Sequence, residues 1–294
     1  MSRIAPFYMN TVVAIGFSSG EDTVQWAASG FFFGRLMSPP EATPRLYTVF
    51  LITNRHVLED KASAKIRFNT DATSPSLEYD IPLITDNNEP LWHKHDDPDI
   101  DIAILMINAE AIKEAGITLS FITEDQHAAP TAKCREMEVS EGDGAFVLGF
   151  PMGLVGQQRN YVIVRHGAIA RISDAIAGVS KEFLIDTLIF PGNSGGPVII
   201  EPSAGSIEGT KPITGSYLIG IVSGYLPYQD IAISAQTRRP RIVFEENSGL
   251  ASVHPVDFVS QTIDAGFRKS QPPLPQLTGH AEAPETQQPH DQAA

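Results

Sequence analysis

Short runs of apolar or alternating residues, each bounded by Gly, Pro, Asn or Asp, divide most of this chain. They fall at 10–17, 30–36, 46–53, 64–69, 101–107, 145–150, 161–172, 183–189, 197–200, 217–223 and 241–244. Runs of this length with turn residues between them point to an all-β sandwich or barrel. A polar stretch from Thr123 to Glu138 divides them into two groups of similar size. The expected organisation is therefore two β units, 1–122 and 139–268, followed by a tail over 269–294. Helical spacing is visible only at Ala109–Ala115 and from Pro255 onward, where Val256, Val259 and Ile263 fall on one face.

The most chemically pointed stretch is Phe190-Pro191-Gly192-Asn193-Ser194-Gly195-Gly196-Pro197-Val198. Glycines on both sides of Ser194 allow a fold tight enough for backbone N–H groups to converge on one point. At that point an oxyanion would develop if Ser194 attacked a carbonyl. Such a serine needs a base and a group to orient the base. The apolar run Tyr47–Thr53 ends in Asn54-Arg55-His56, and a later run starts Asp99-Ile100-Asp101-Ile102-Ala103. Asp99 and Asp101 share strand parity, so either carboxylate could orient His56 on this ground alone. The order His, Asp, Ser distinguishes this chain from other folds that carry the same three roles.

Thr53-Asn54-Arg55-His56-Val57, Asp101-Ile102-Ala103-Ile104-Leu105 and Gly192-Asn193-Ser194-Gly195-Gly196-Pro197 resemble the three signatures of trypsin/chymotrypsin-like serine peptidases. The bacterial HtrA-like branch is the nearer likeness, through the Asn before the serine and the Pro-Gly ahead of it. Gly149-Phe150-Pro151-Met152-Gly153 resembles a turn of that branch as well. The resemblance covers roughly residues 10–262 and implies two six-stranded antiparallel β-barrels with a C-terminal helix and a disordered tail. It implies a serine endopeptidase in which His56 is the base, Asp101 orients it and Ser194 is the nucleophile, with the Gly192 and Ser194 N–H groups as oxyanion hole. The Asp-x-Ala-x-Leu pattern selects Asp101 over Asp99.

The same resemblance places Leu188 at the base of the primary specificity pocket and Ser223, Gly224 and Tyr225 on the strand that lines it. A leucine cannot attract Arg or Lys, and Tyr225 adds bulk. The expected preference is for small or medium apolar residues before the scissile bond. Asn193 stands where the digestive enzymes carry the acid that pairs with a freshly cut N-terminus, so that activation route is not expected. HtrA-like proteins trimerise through N-terminal aromatic residues, a part that falls to Phe7 and Tyr8 here. The PDZ domain that usually follows in that branch is not expected here.

Composition narrows the alternatives. A net charge of −14 argues against nucleic-acid binding, which needs clustered Lys and Arg. The one basic cluster, Arg238-Arg239-Pro240-Arg241, reads as an exposed hairpin tip. A single cysteine, Cys134, excludes an internal disulfide framework. Neither a leader-like apolar segment nor a bilayer-length run is visible, so a cytoplasmic protein with no membrane partner is expected.

His93-Lys94-His95-Asp96-Asp97-Pro98-Asp99 contains ligand-type residues but no second cluster to complete a metal site, and reads as a loop. His166 reads as a half-exposed strand residue, and Gly142-Asp143-Gly144 lacks the spacing of a phosphate loop. No metal or cofactor is expected, and the partner is a protein or peptide substrate. An esterase of the Gly-x-Ser-x-Gly type is disfavoured by the sequence around Ser194 and by the scarcity of helices. The competing reading is a latent or catalytically silent trypsin-like fold acting as a binding module.

Overall fold

The computed structural model describes residues 4–20, 23–69, 75–114, 116–117, 119–203 and 211–269. Of the tail expected over 269–294, Lys269 belongs instead to the last helix and residues 270–294 lie outside the described residues. Eight strands form the first unit: β1 (Val12–Ser18), β2 (Val24–Leu36), β3 (Tyr47–Thr53), β4 (Ser63–Phe68), β5 (Leu77–Pro82), β6 (Trp92–Lys94), β7 (Ala103–Met106) and β8 (Ile122–Thr123). The second unit contains β9 (Gly144–Gly149), β10 (Ile163–Arg171), β11 (Phe183–Asp186), β12 (Pro197–Ile200), β13 (Leu218–Ile233) and β14 (Pro240–Pro255).

The second unit closes as a six-stranded antiparallel barrel in the order β10-β11-β14-β13-β12-β9. The first departs from the six-strand expectation. Its sheet runs β5-β4-β1-β2-β3-β7-β6, with the short β8 pairing β2 in parallel, so it holds eight strands. No ladder joins β5 to β6 among the described residues, which leaves it a curved half-barrel. The architecture remains the double-barrel one. Short helices are more numerous than expected, at Pro6–Thr11, Arg55–Leu58, Glu124–His127, Thr131–Glu136 and Ser173–Ile176 besides Ala109–Glu114. The helix from Pro255 is observed at Asp257–Lys269, with Val259 and Ile263 fully buried.

The period-2 alternation of strands explains how the two units join. All seven residues of β3 are buried. Its Val49 and Leu51 face the interior of the first unit, whereas Phe50 and Ile52 face a second cluster. In the other barrel, Val147 and Val198 point inward while Leu148 and Ile199 enter that same second cluster. Strands covered on both faces read as continuous apolar runs, which is why β3 shows no polar alternation. The shared cluster also takes in Val259 and Ile263 of the last helix, so both barrels and that helix are packed on one layer. Fully burying each of these side chains is worth about 1.5–3 kcal/mol, which fixes the barrels' relative position.

Candidate active site

β3 and β7 are antiparallel neighbours whose final pair is Thr53 with Ala103. The chain leaving β3 and the chain entering β7 therefore lie at the same end of the sheet. His56 sits just beyond the first, on the short helix Arg55–Leu58, and Asp101 just before the second. His56 Nδ1 lies 2.5 Å from Asp101 Oδ2, and the His56 backbone N–H donates to Asp101 Oδ1 at 3.1 Å. Burial pushes the Asp101 carboxyl up, but the His56 hydrogen bonds and charge, with Arg55 beside it, outweigh this and hold it below its ordinary value. Asp99 is turned elsewhere, bound at 2.8 Å by Lys181.

Two further residues, Asn54 and His254, hold this arrangement. Asn54 Nδ2 donates to the Asp101 carbonyl at 2.7 Å. The Asp101 N–H donates to His254 Nε2 at 3.1 Å, and His254 Nδ1 lies 3.1 Å from the Lys181 carbonyl. His254, on β14 and 1% exposed, therefore fits the neutral tautomer with its proton on Nδ1. Lys181 extends the link by clasping Asp97 and Asp99 at 2.7 and 2.8 Å. The Asp101 main chain of one unit is thus tethered to the barrel of the other.

Ser194 lies in the second of two successive turns. Asn193 N–H donates to the Phe190 carbonyl, with Pro191 and Gly192 between them and Gly192 at φ +102°. Gly196 N–H donates to the Asn193 carbonyl, with Ser194 and Gly195 between them and Gly195 at φ +81°. Pro followed by a positive-φ glycine is the pattern of a type II turn. Neither the Gly192 N–H nor the Ser194 N–H has an acceptor among the described residues, so both are free to serve one external oxygen. The Ser194 hydroxyl is half-buried and makes no hydrogen bond to His56 among the described residues. Such bonds are often long in free enzymes and tighten with substrate.

The turns are anchored from three sides. Ser29, fully buried on β2, donates from Oγ to the Gly192 carbonyl at 2.7 Å and accepts from the Phe150 N–H at 2.9 Å. Its own N–H donates to the Ser194 carbonyl at 2.9 Å. Met152 N–H donates to the Pro191 carbonyl at 2.6 Å, which commits that carbonyl to the Gly149–Gly153 turn. Inside the loop, Asn193 Oδ1 accepts the Phe190 N–H at 3.0 Å. Asn193 is fully buried, and its Nδ2 has no hydrogen-bond partner among the described residues.

The residues expected to form the specificity pocket are spread over a more open surface. Leu188 is 48% exposed. Ser223 is half-buried and donates to Glu182 at 3.1 Å, Gly224 has open space over its α-carbon, and the Tyr225 hydroxyl donates to Glu245 at 3.1 Å. β13 carries bulges between Val222 and Gly224 and between Tyr225 and Pro227.

Matching this geometry against known proteins decides the family. The model of the trypsin-like peptidase domain matches residues 28–206, more than half of the chain. The chain belongs to the trypsin-like peptidase family. Its class is that of a serine endopeptidase. The peptidase's fold is similar to that of the HtrA-type protease AlgW solved with a decapeptide, at 16% identity and a TM-score of 0.50, over 90% of this chain and 67% of that one. A second solved structure, Rv3671c from M. tuberculosis H37Rv in an inactive form with a serine-to-alanine substitution, aligns over 90% of both chains at 16% identity with a TM-score of 0.42. No curated protein matches the sequence.

The remaining candidates of the peptidase have local roles. His95 Nε2 lies 3.2 Å from Gln261 Oε1, and Asp96 pairs with Lys269 at 2.5 Å. His93 packs beside Gly266, where burial and then Lys269 lower its basicity. His166 Nε2 is 2.7 Å from Glu201. Cys134 is buried and its thiol is pushed up to about 12. Among the described residues no cluster of three or more metal-ligating side chains forms, and no helix is long and apolar enough to cross a membrane. Tyr8 is 3% exposed and its hydroxyl donates to the Ser216 carbonyl, while the Phe7 ring lies 4.6 Å from that of His127. The N-terminal aromatics are therefore spent on packing within the chain.

Proposed function

We propose that this peptidase cleaves protein or peptide chains through an acyl-enzyme on Ser194, with His56 and Asp101 completing the triad. The observation that carries the reading is the pairing of His56 Nδ1 with Asp101, at 2.5 Å, together with Gly192 and Ser194 N–H groups that have no acceptor among the described residues. With its Nδ1 proton directed at Asp101, the imidazole keeps Nε2 as acceptor for the Ser194 hydroxyl proton. Ser194 Oγ then attacks the scissile carbonyl, and the oxyanion is received by the two free N–H groups. His56 returns the proton to the leaving amine, the peptide bond breaks, and an ester to Ser194 remains. Water, deprotonated by the same nitrogen, hydrolyses that ester. Two aligned donors are worth a great deal here, since losing one costs about 10²–10³ in rate.

The alternative, a latent fold, is disfavoured by the same turn. Its Gly192 and Ser194 N–H groups, without an acceptor among the described residues, and its anchoring by Ser29 and Met152 support a competent oxyanion site. A fluorophosphonate probe is expected to label the wild-type chain and leave Ser194→Ala unlabelled. Equal labelling of both, or of neither over a range of pH and added peptides, would return the reading to a silent binding module.

For selectivity, Leu188 offers no charge to attract Arg or Lys, and open space lies over Gly224. The expected preference is Val, Ala or Leu before the scissile bond. Cleavage sites in a peptide library report it directly, and a dominant Arg or Lys signal would sink the pocket assignment.

A further inference from the structure

β13 and β14 outgrow their barrel. β13 pairs β12 only as far as Ile221, and β14 pairs β11 only over Leu250–Val253. The two nevertheless stay paired with each other out to Ile233 and Pro240. Every residue of 226–233 and of 240–246 is exposed, so this outer part is a free two-stranded ribbon. An isolated hairpin is marginal in water, and this one presents Tyr228, Ile231, Ile233, Ile242, Val243 and Phe244, each about half exposed or more.

The register shows what the ribbon is not built for. Phe244 and Ile242 stand opposite Asp230 and Ala232 on one face, while Ile231 and Val243 share the other. With apolar residues on both faces, the ribbon has no single greasy side to lay on a flat surface. Its other resource is its edge. Past Val222 the outer edge of β13 has no strand partner among the described residues. That edge is continuous with Ser223–Tyr225, where the proposed peptidase reading seats the residues just before the scissile bond. Between the two segments lies one irregularity, where Leu226 of β13 stands opposite Ser248–Leu250 of β14. Glu245 accepts from both Tyr225 and Gln229 at 3.1 Å, which ties the base of the ribbon to the pocket strand.

We propose that the ribbon is an extended substrate subsite: a β-prone, apolar segment from about four to about ten residues before the scissile bond adds as an antiparallel strand along the outer edge of β13. The direction is fixed by the seating at Ser223–Tyr225, because a substrate paired antiparallel there runs toward Ile233 as it is followed to its N-terminus. Main-chain pairing supplies affinity, and cross-strand contacts with Tyr228, Ile231 and Ile233 supply the preference for apolar and β-branched side chains. This rests on the peptidase reading, and the test separates the two.

Peptides sharing one cleavage sequence are extended upstream from three to twelve residues, in one series with alternating Val and Thr and in another with Gly and Ser. For the full chain, kcat/KM is expected to rise about tenfold to a hundredfold along the Val/Thr series and to change little along the Gly/Ser series. The long-to-short ratio is expected to fall toward one in Y228A/I231A/I233A and in a second variant whose ribbon is shortened to a tight turn. If short peptides are cut but the ratio stays near one, or if both series gain equally, or if the ribbon variants keep the gain, the subsite is overturned. A wild-type dimer by light scattering that the ribbon variants dissolve, without a length effect, would likewise overturn it and assign the ribbon to self-association. If no peptide is cut at all, it is the peptidase reading itself that fails.

Discussion

Asp101→Asn is expected to lower kcat/KM on any cleaved peptide by about 10⁴ without unfolding the protein. The reason lies in which oxygen does what. The His56 backbone N–H binds Oδ1 of Asp101 at 3.1 Å, while His56 Nδ1 faces Oδ2 at 2.5 Å. An asparagine keeps its carbonyl oxygen on the backbone N–H, so its amide NH₂ is left facing the ring. That group donates, which forces the imidazole proton onto Nε2, the atom that must accept from Ser194. The base is disarmed although nothing has moved. The Asp101 main chain stays held by Asn54 and His254, so the thermal midpoint should change little.

Acid dependence separates the charge from the geometry. The Asp101 carboxyl is held below its ordinary value in the folded chain, so its ionised form contributes stability that is fully present above the unfolded carboxylate range, near 3.9, and is lost as pH falls through the lower folded value. The asparagine variant should lack this contribution. A loss of less than tenfold in kcat/KM, with the fold intact, would remove Asp101 from the mechanism.

How far the sequence could be read depends on whether a residue's partner lies nearby. Ser194, Gly192 and Gly195 announce themselves because the turns they make are local, and the turn chemistry requires positive φ at the two glycines. His56 and Asp101 are legible because each follows or precedes an apolar strand, and the pairing of Thr53 with Ala103 brings the strand ends together. Ser29 and His254 are invisible by the same logic. Each is a polar residue in a run of buried strand positions, and it bonds a main-chain group of the other unit, Ser29 the Gly192 carbonyl and His254 the Asp101 N–H. A fully buried polar side chain in such a run is the only local hint, and it says that a partner exists without saying where.

The strand count of the first unit fails for a related reason. β5 is exposed at all but Ile81, and β6 and β8 hold three and two residues, so neither length nor periodicity marks them as strands. The ribbon is a different case. The segments 217–223 and 241–244 read as separate short strands, but the polar residues Gln229 and Asp230 hide that β13 runs unbroken to Ile233. The basic cluster was legible as a tip: Arg238 and Arg239 lie in the turn closed by Ser234 N–H on the Arg239 carbonyl.

The second large effect concerns Gly192→Ala, which is expected to cut kcat by about 10²–10³ with a smaller change in KM. At φ +102° an alanine is already strained, and its Cβ would fall 2.3 Å from the Phe150 carbonyl oxygen and 3.0 Å from the Met152 nitrogen. Both neighbours are backbone, and Phe150 is itself pinned by Ser29, so the loop and not its surroundings must give way. The cheapest relief is rotation of the peptide planes on either side of residue 192. That rotation withdraws the residue-192 N–H from the oxyanion site and breaks the Ser29 bond to the residue-192 carbonyl. Substrate would still reach Leu188 and the β13 edge, because neither depends on that peptide plane. The defect should therefore appear in the chemical step, as a loss in single-turnover acylation with fluorophosphonate labelling slowed in parallel. If kcat survives within a few fold while only KM rises, the free N–H of Gly192 is not receiving the oxyanion. The double turn would then be a structural device alone.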